Sequence, residues 1–335
     1  MISSFPLVRA SDIAPFVRWV QKNGRSLDDV LACGGLSAPP WDAPARPISL
    51  IKALSVMRML SLQEGPDIAT RVVTDTSILD LGELGQLMLG GRTPREALTL
   101  VCEAMPRHCT HEFLSITPAA AGAIIREELT LDVDDVTRHT VQQYVAALIR
   151  SLCKMTGYVG EPLGKIELTP HPEFGLSHLN GRLGPQPTPS DTNALTVFIS
   201  DDALDRPFPS SIRKFGGDWP RDHWDPLYCA NSFACTARAF IDFMLDDGEP
   251  TVERFAEASG FSVRTSQRRL AAEGTSFSDL LDEARRARAL VALSGTSKSI
   301  THVAADLGYS GQPSFVRAVR RWTGVSPRRY RNGAV

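Results

Sequence analysis

No run of apolar residues in this 335-residue sequence reaches the ~18 that a membrane-spanning helix needs. The opening stretch, MISSFPLVRASDIAPFVRWV, lacks a basic start followed by an apolar segment, so no signal peptide is expected. The six cysteines (Cys33, Cys102, Cys109, Cys153, Cys229 and Cys235) include no C-x-x-C pair. That scatter suits reduced thiols in the cytoplasm better than a disulfide framework. There is no G-x-S-x-G, no phosphate-binding glycine loop and no H-E-x-x-H, so a hydrolase or nucleotide triphosphatase has no foothold. No internal repeat or low-complexity segment marks the first ~225 residues.

What is present is ordinary globular material, 43% hydrophobic and 22% charged, with length enough for two domains. The net charge of -2 conceals an asymmetry. From Thr251 onward there are 14 Lys and Arg against 7 Asp and Glu, a net of +7. The preceding 250 residues carry 22 basic and 31 acidic groups, a net of -9. A basic module joined to an acidic one points to a nucleic-acid contact confined to the C-terminal end. A merely solvated basic surface would have the same charge balance.

Periodicity divides the chain in the same place. Up to residue ~225 helices and strands are mixed. Helical spacing covers 12–34, with Ile13, Phe16, Val17 and Val20 on one face, and then 48–62. TPREALTLVCEAM (93–105) reads as a capped helix with Thr93 leading, Pro94 first and Glu96 three residues after the cap. HEFLSIT (111–117) and GAIIREELTL (122–131) read as strands, 135–156 as a long helix, and 164–169 and 194–200 as further strands. The Pro- and Gly-rich stretch 171–193 reads as loop. Beyond a helix at 232–246 every segment reads as a short helix or a turn. The expected fold is therefore an α+β N-terminal domain, 1–225, and an all-α C-terminal domain, 226–335.

Within the latter, TVERFAEASGFSVRTSQRRLAAEG (251–274) and SITHVAADLGYSGQPSFVRAVRRWTG (299–324) share one plan: helix, tight glycine turn, helix. Thr251, Ser262 and Ser299 can cap. A long helix, 277–293, joins the two and spans ~25 Å. That connector can hold two recognition helices about one DNA turn, ~34 Å, apart, so that a single chain reads two successive major grooves. On the last helix Phe315, Ala318, Val319 and Trp322 fall at core spacing. Gln312, Pro313, Ser314 and Arg317 are left near the end that enters the groove. Arg317 can pair with guanine and Gln312 with adenine, while Arg320 and Arg321 suit phosphates. On the earlier unit Arg264, Thr265 and Arg268 share a face as base readers, with Gln267 and Arg269 at its edges.

These segments, above all LAAEGTSF, LLDEARRARA, ITHVAADLGYS and SFVRAVRRWTGVSPRRYR in that order, resemble the AraC/XylS family of bacterial transcription regulators over residues 231–335. The resemblance implies double-stranded DNA as partner and an effect on RNA polymerase recruitment or on DNA binding. Two departures are visible. Family members commonly carry an apolar residue where Ser266 stands, so the first unit is expected to pack more loosely. Gly311 and Pro313 interrupt a polar pair, so fewer base contacts are expected from the second. Arg285 sits where the family usually has arginine, in either a structural or a phosphate-binding role.

The first domain, through PLVRASDIAPFVRWVQKNGRSLDDVLACGGL, LGELGQLML, TPREAL and IELTPHPEFG, resembles the ligand-binding region of a subset of these regulators, one named for arabinose binding. This implies a small-molecule effector, though not arabinose itself. Other features carry less. Cys102, His108, Cys109 and His111 lie close in sequence, but their spacing matches no standard zinc pattern, and loop or core packing is the plainer reading. Arg126 can bind an anionic effector or simply face solvent. Trp219 and Trp224 can line a pocket or pack. Neither a catalytic residue nor a cofactor is expected. Two other functions stay open: a regulator whose first domain only forms a homodimer, and a DNA alkyl-repair enzyme. The latter needs an activated cysteine beside a histidine. Only 102–111 offers that pairing, without the Pro-Cys-His-Arg setting of such proteins.

Overall fold

The computed structural model describes residues 4–217, 227, 232–246, 250–295 and 298–333. Trp219 and Trp224 fall outside them. The chain divides into two compact units, Pro6–Tyr228 and a second made of Cys229–Val335 together with Met1–Phe5. The first contains a sheet and the second is helical, the α+β and all-α classes expected from periodicity. Among the described residues no helix is long and apolar enough to cross a membrane.

The α+β unit begins with β1 (Leu7–Arg9), α1 (Ala14–Lys22), α2 (Leu27–Gly34) and β2 (Pro47–Ser49), with β1 and β2 pairing antiparallel. Helices α3 (Leu50–Glu64), α4 (Ile68–Val72), α5 (Ser77–Asp80), α6 (Glu83–Gly90) and α7 (Pro94–His108) follow. Thr93 caps α7 by accepting from the Glu96 amide at 3.3 Å, as the sequence suggested. The Glu96 carboxylate reaches one residue past the cap, to the Arg92 amide at 2.8 Å. Strands β3 (Glu112–Ala119) and β4 (Gly122–Leu129) form a hairpin. Next come α8 (Asp135–Lys154), β5 (Leu163–Leu168), β6 (Thr188–Pro189) and β7 (Leu195–Ser200), then the short α9 (Asp201–Leu204) and α10 (Ser210–Arg213). The sheet order is β3-β4-β7-β5-β6, antiparallel except for β5 with β6. Helix α8 packs against β4, β5 and β7 and also against α3, α4 and α5. It is therefore buried nearly all round, where a surface helix shows one apolar stripe.

The helical unit holds α11 (Phe233–Met244), α12 (Val252–Ser259), α13 (Val263–Ala272), α14 (Phe277–Gly295), α15 (Ile300–Asp306), α16 (Gln312–Thr323) and α17 (Pro327–Arg331). Thr251, Ser262 and Ser299 cap α12, α13 and α15, each accepting at 3.2 Å from the amide three residues on. Gly260 and Gly308 end the leading helix of each pair with φ of +71° and +69°, a left-handed backbone that side chains disfavour. The second pair has its own core: Val303, Ala304 and Leu307 of the leading helix and its end meet Phe315 and Val319 of α16 over Ala289 and Leu293 of α14.

The first pair draws on a residue from the far end of the chain. Phe5 is fully buried, with its ring 5.0 Å from Phe240, 5.1 Å from Phe255 and 5.7 Å from Phe233. Its amide donates to Thr236 Oγ1 at 2.7 Å. Cys33, Cys102, Cys109 and Cys153 are free, but Cys235 is disulfide-bonded, so the expectation of reduced thiols fails at that position. Phe5→Ala should cost the helical unit about 3–5 kcal/mol, as removal of a buried aromatic ring does. Chemical denaturation should show that unit's transition moving while the transition of Pro6–Tyr228 stays in place.

Candidate nucleic-acid interface

In each helix pair the second helix, α13 or α16, packs one face on its leading helix and leaves the opposite face outward. On α13 the inward residues are Ser266 and Leu270. The Ser266 hydroxyl is fully buried yet satisfied, 3.1 Å from Ser259 Oγ, which donates to Ala256 O at 2.7 Å. A partner hydroxyl on α12 supplies the hydrogen bond that an apolar residue here would not need. Outward stand Arg264, Gln267 and Arg268, all exposed. Thr265 is half-buried and its hydroxyl accepts from Ser262 Oγ at 3.0 Å, tying it to the cap. Arg269 turns the other way, over the rings of Phe261 and Phe233 at 4.3 and 5.6 Å.

On α16, Phe315, Ala318 and Val319 are buried. Gln312, Arg317, Arg320 and Arg321 are exposed and Ser314 is half-buried. Arg317 Nη2 donates to Ser314 Oγ at 3.0 Å, and Gln312 Oε1 accepts from Thr301 Oγ1 at 2.9 Å. The N-terminal turn of α16 follows Gly311 and has no side-chain cap, so its first amides are open to an acceptor from outside. Arg321 differs from its neighbour: it pairs with Asp282 of α14, whose other carboxylate oxygen accepts from Trp322 Nε1 at 2.8 Å.

The distribution of ion pairs sorts the arginines of this unit. Arg238 pairs with Glu283, Arg288 with Asp242 and Asp246, Lys298 with Asp306, and Arg321 with Asp282. Among the described residues Arg264, Arg268, Arg317 and Arg320 form no ion pair, and all four lie on the exposed sides of α13 and α16. Arg285 settles into the structural role. Its Nε donates to Leu307 O at 2.9 Å and its Nη2 to Gly308 O at 3.0 Å, with the guanidinium 4.7 Å from the Tyr309 ring centroid. It closes the carbonyl end of α15.

Residues 255–333 match the family of helix-turn-helix domains. The C-terminal unit is an AraC-type helix-turn-helix domain. The HTH-type transcriptional regulator VirS of Mycobacterium tuberculosis is 41% identical over 88 residues, which cover 26% of this chain and 26% of VirS. The HTH-type transcriptional regulator VqsM of Pseudomonas aeruginosa is 38% identical over 98 residues, 28% of this chain and 30% of VqsM. The match thus spans under a third of these relatives. The crystal structure of the transcriptional regulator CdpR of Pseudomonas aeruginosa aligns over 94% of this chain and 98% of its own, with TM-score 0.39 and 18% identity.

The α+β unit disperses the sequence cluster at 102–111. His108 Nε2 lies 3.3 Å from Asp12 Oδ1, whereas His111 Nδ1 is 2.7 Å from Thr110 Oγ1. Burial raises the thiol pKa of Cys102 to about 11 and pushes that of Cys109 well up. Among the described residues no three His, Cys, Asp or Glu side chains are grouped to hold a metal ion. Arg126 pairs with Glu128 at 2.6 Å on the sheet surface. The unit also has a narrow apolar cavity lined from α3, α6, α7, α8 and the β3–β4 hairpin.

Sequence reasoning missed a set of three imidazoles. His139 of α8 meets His178 Nε2 at 2.9 Å, and its ring centroid is 5.5 Å from that of His171. Nδ1 of His139 must donate to Thr169 O at 2.7 Å, because a carbonyl only accepts, so its Nε2 accepts from His178. Burial first, then the two neighbouring imidazoles, lowers the His139 pKa to about 4 from 6.5, against the raising effect of the Thr169 carbonyl. Between those values the unfolded chain binds a proton that the folded one does not, so stability is lost as pH falls from about 6.5 toward 4. Glu127, buried and pushed up to about 7, works in the opposite sense, so a variant is needed to isolate His139. Urea unfolding at pH 7 and pH 5 should show His139→Gln losing less stability than the parent over this interval, by up to about 2 kcal/mol.

Proposed function

We propose that this chain is a sequence-specific, DNA-binding transcription regulator whose helical unit places α13 and α16 in successive major grooves. The observation that carries the reading is the placement of Arg264, Arg268, Arg317 and Arg320. A guanidinium without a carboxylate partner on the outward side of a recognition helix is available to guanine edges or to phosphates. Arg317, near the start of α16 and steadied by Ser314, fits a base-reading role. Arg320, one turn later, fits a phosphate, as do the open amides at the start of α16. Arg321 remains a phosphate candidate only if its pair with Asp282 exchanges for the DNA backbone.

The α+β unit, in the same proposal, binds a small-molecule effector, and its apolar cavity is what supports this over a purely dimerising role. The DNA alkyl-repair alternative runs against the thiols. Among the described residues the four free cysteines, Cys33, Cys102, Cys109 and Cys153, have a pKa raised by burial, whereas a nucleophilic cysteine needs a lowered one.

The test is binding of the full chain to sites selected from random DNA. Arg317→Ala should weaken the selected site by about 1–3 kcal/mol and relax preference at one base position. Equal weakening on every sequence would move Arg317 to a phosphate. If the parent chain selects no sequence at all, the sequence-reading role is lost.

A further inference from the structure

The cavity of the α+β unit is lined almost wholly by flexible apolar side chains, among them Leu54, Met57, Met88, Leu98, Val145 and Leu148. Four polar residues interrupt that wall: Asp12, His108, Glu112 and Tyr144. Three of them are tied to one another. His108 Nε2 is 3.3 Å from Asp12 Oδ1, and Tyr144 Oη donates to Asp12 O at 2.7 Å. Glu112 is the exception. It is only 9% exposed, and its carboxyl makes no hydrogen bond or ion pair among the described residues. A buried acid left without a donor is costly, and Glu112 lines the cavity.

The charges on the wall choose the ligand. No lysine or arginine lines the cavity, so a carboxylate or phosphate entering it would meet Asp12 and Glu112 with only His108 to oppose them. An ammonium offers three donors and the opposite charge. The narrowness of the space favours a slim body over a bulky one. We propose that this cavity is the effector site and that it takes a slender apolar molecule ending in a primary ammonium, held by the Glu112 carboxylate beside Asp12. The proposal rests on the sensing role given above to the α+β unit. Burial raises the Glu112 pKa well above the usual carboxylate range, and the charges of Glu127 and Asp12 raise it further. An incoming cation opposes that shift by supplying the neutralising charge.

Three probes of equal chain length separate the chemistries: n-octylamine, 1-octanol and octanoate, titrated calorimetrically into the full chain near neutral pH. Octylamine should bind at least about tenfold more tightly than octanoate, the margin of one charge-assisted hydrogen bond. Glu112→Gln, which keeps the shape and removes the charge, should cost octylamine about tenfold or more and leave octanol within about threefold. Leu148→Trp, which fills the cavity, should abolish binding of all three. Octanoate binding as tightly as octylamine in the parent chain would overturn the ammonium assignment without recourse to any variant, as would unchanged octylamine affinity in Glu112→Gln. If no octyl probe binds but another metabolite raises the melting temperature, the sensing role stands and this inference falls. If neither set binds, both fall together.

Discussion

Helix α14 is held from both sides, and the geometry of the proposed DNA-reading surface follows from that. Toward the first half of the domain, Glu283 pairs with Arg238 and Arg288 with Asp242, both on α11, and Arg288 also with Asp246 just beyond it. Toward the second half, Asp282 takes the Trp322 indole of α16, and Arg285 binds the carbonyls of Leu307 and Gly308 at the end of α15. Ala289 and Leu293 continue the same helix into the second core. Charged pairs at the surface contribute little one by one. Here their effect is positional: 19 residues of helix, about 28 Å long, act as a single spacer between the two helix pairs. A break anywhere along it would leave two separate helix pairs whose spacing nothing fixes.

The same spacer explains why only some of the domain's arginines are left for a nucleic acid. Arg285 and Arg288 spend their guanidiniums inside the protein, and Arg269 lies over aromatic rings. Arg264, Arg268, Arg317 and Arg320, which form no ion pair among the described residues, lie on the outward sides of α13 and α16. In the α+β unit a comparable logic runs with the opposite sign. Glu112 is an acid in an apolar wall, unused by its own fold, and an unused polar group at such depth is where a ligand's charge can matter most.

Much of this was legible in the sequence, because helix caps and helical periodicity are local signals. Thr93, Ser262 and Ser299 cap where their spacing suggested, and Phe315, Ala318 and Val319 turn inward as the i, i+3, i+4 pattern required. What stayed hidden depends on contacts between distant segments. Phe5 belongs to an aromatic cluster more than 200 residues along the chain, and nothing around it in sequence indicates this. His139 meets His171 and His178 only once α8 packs against β5 and the loop after it. Ser266 looked like a packing defect because its partner, Ser259, sits on another helix. Arg285 was undecidable between structure and phosphate until the carbonyls of Leu307 and Gly308 were in place. The short elements β1, β2 and α4–α6 are too brief to show a period of their own.

The central claim is that one chain presents two reading helices at a fixed separation. Hydroxyl-radical footprinting at one chain per duplex, on a site selected by the protein, tests it most directly. Two reading helices on one rigid spacer should give two protected stretches about one helical turn, ~10 base pairs, apart on the same face of the DNA. A single protected stretch, or two on opposite faces, would contradict it.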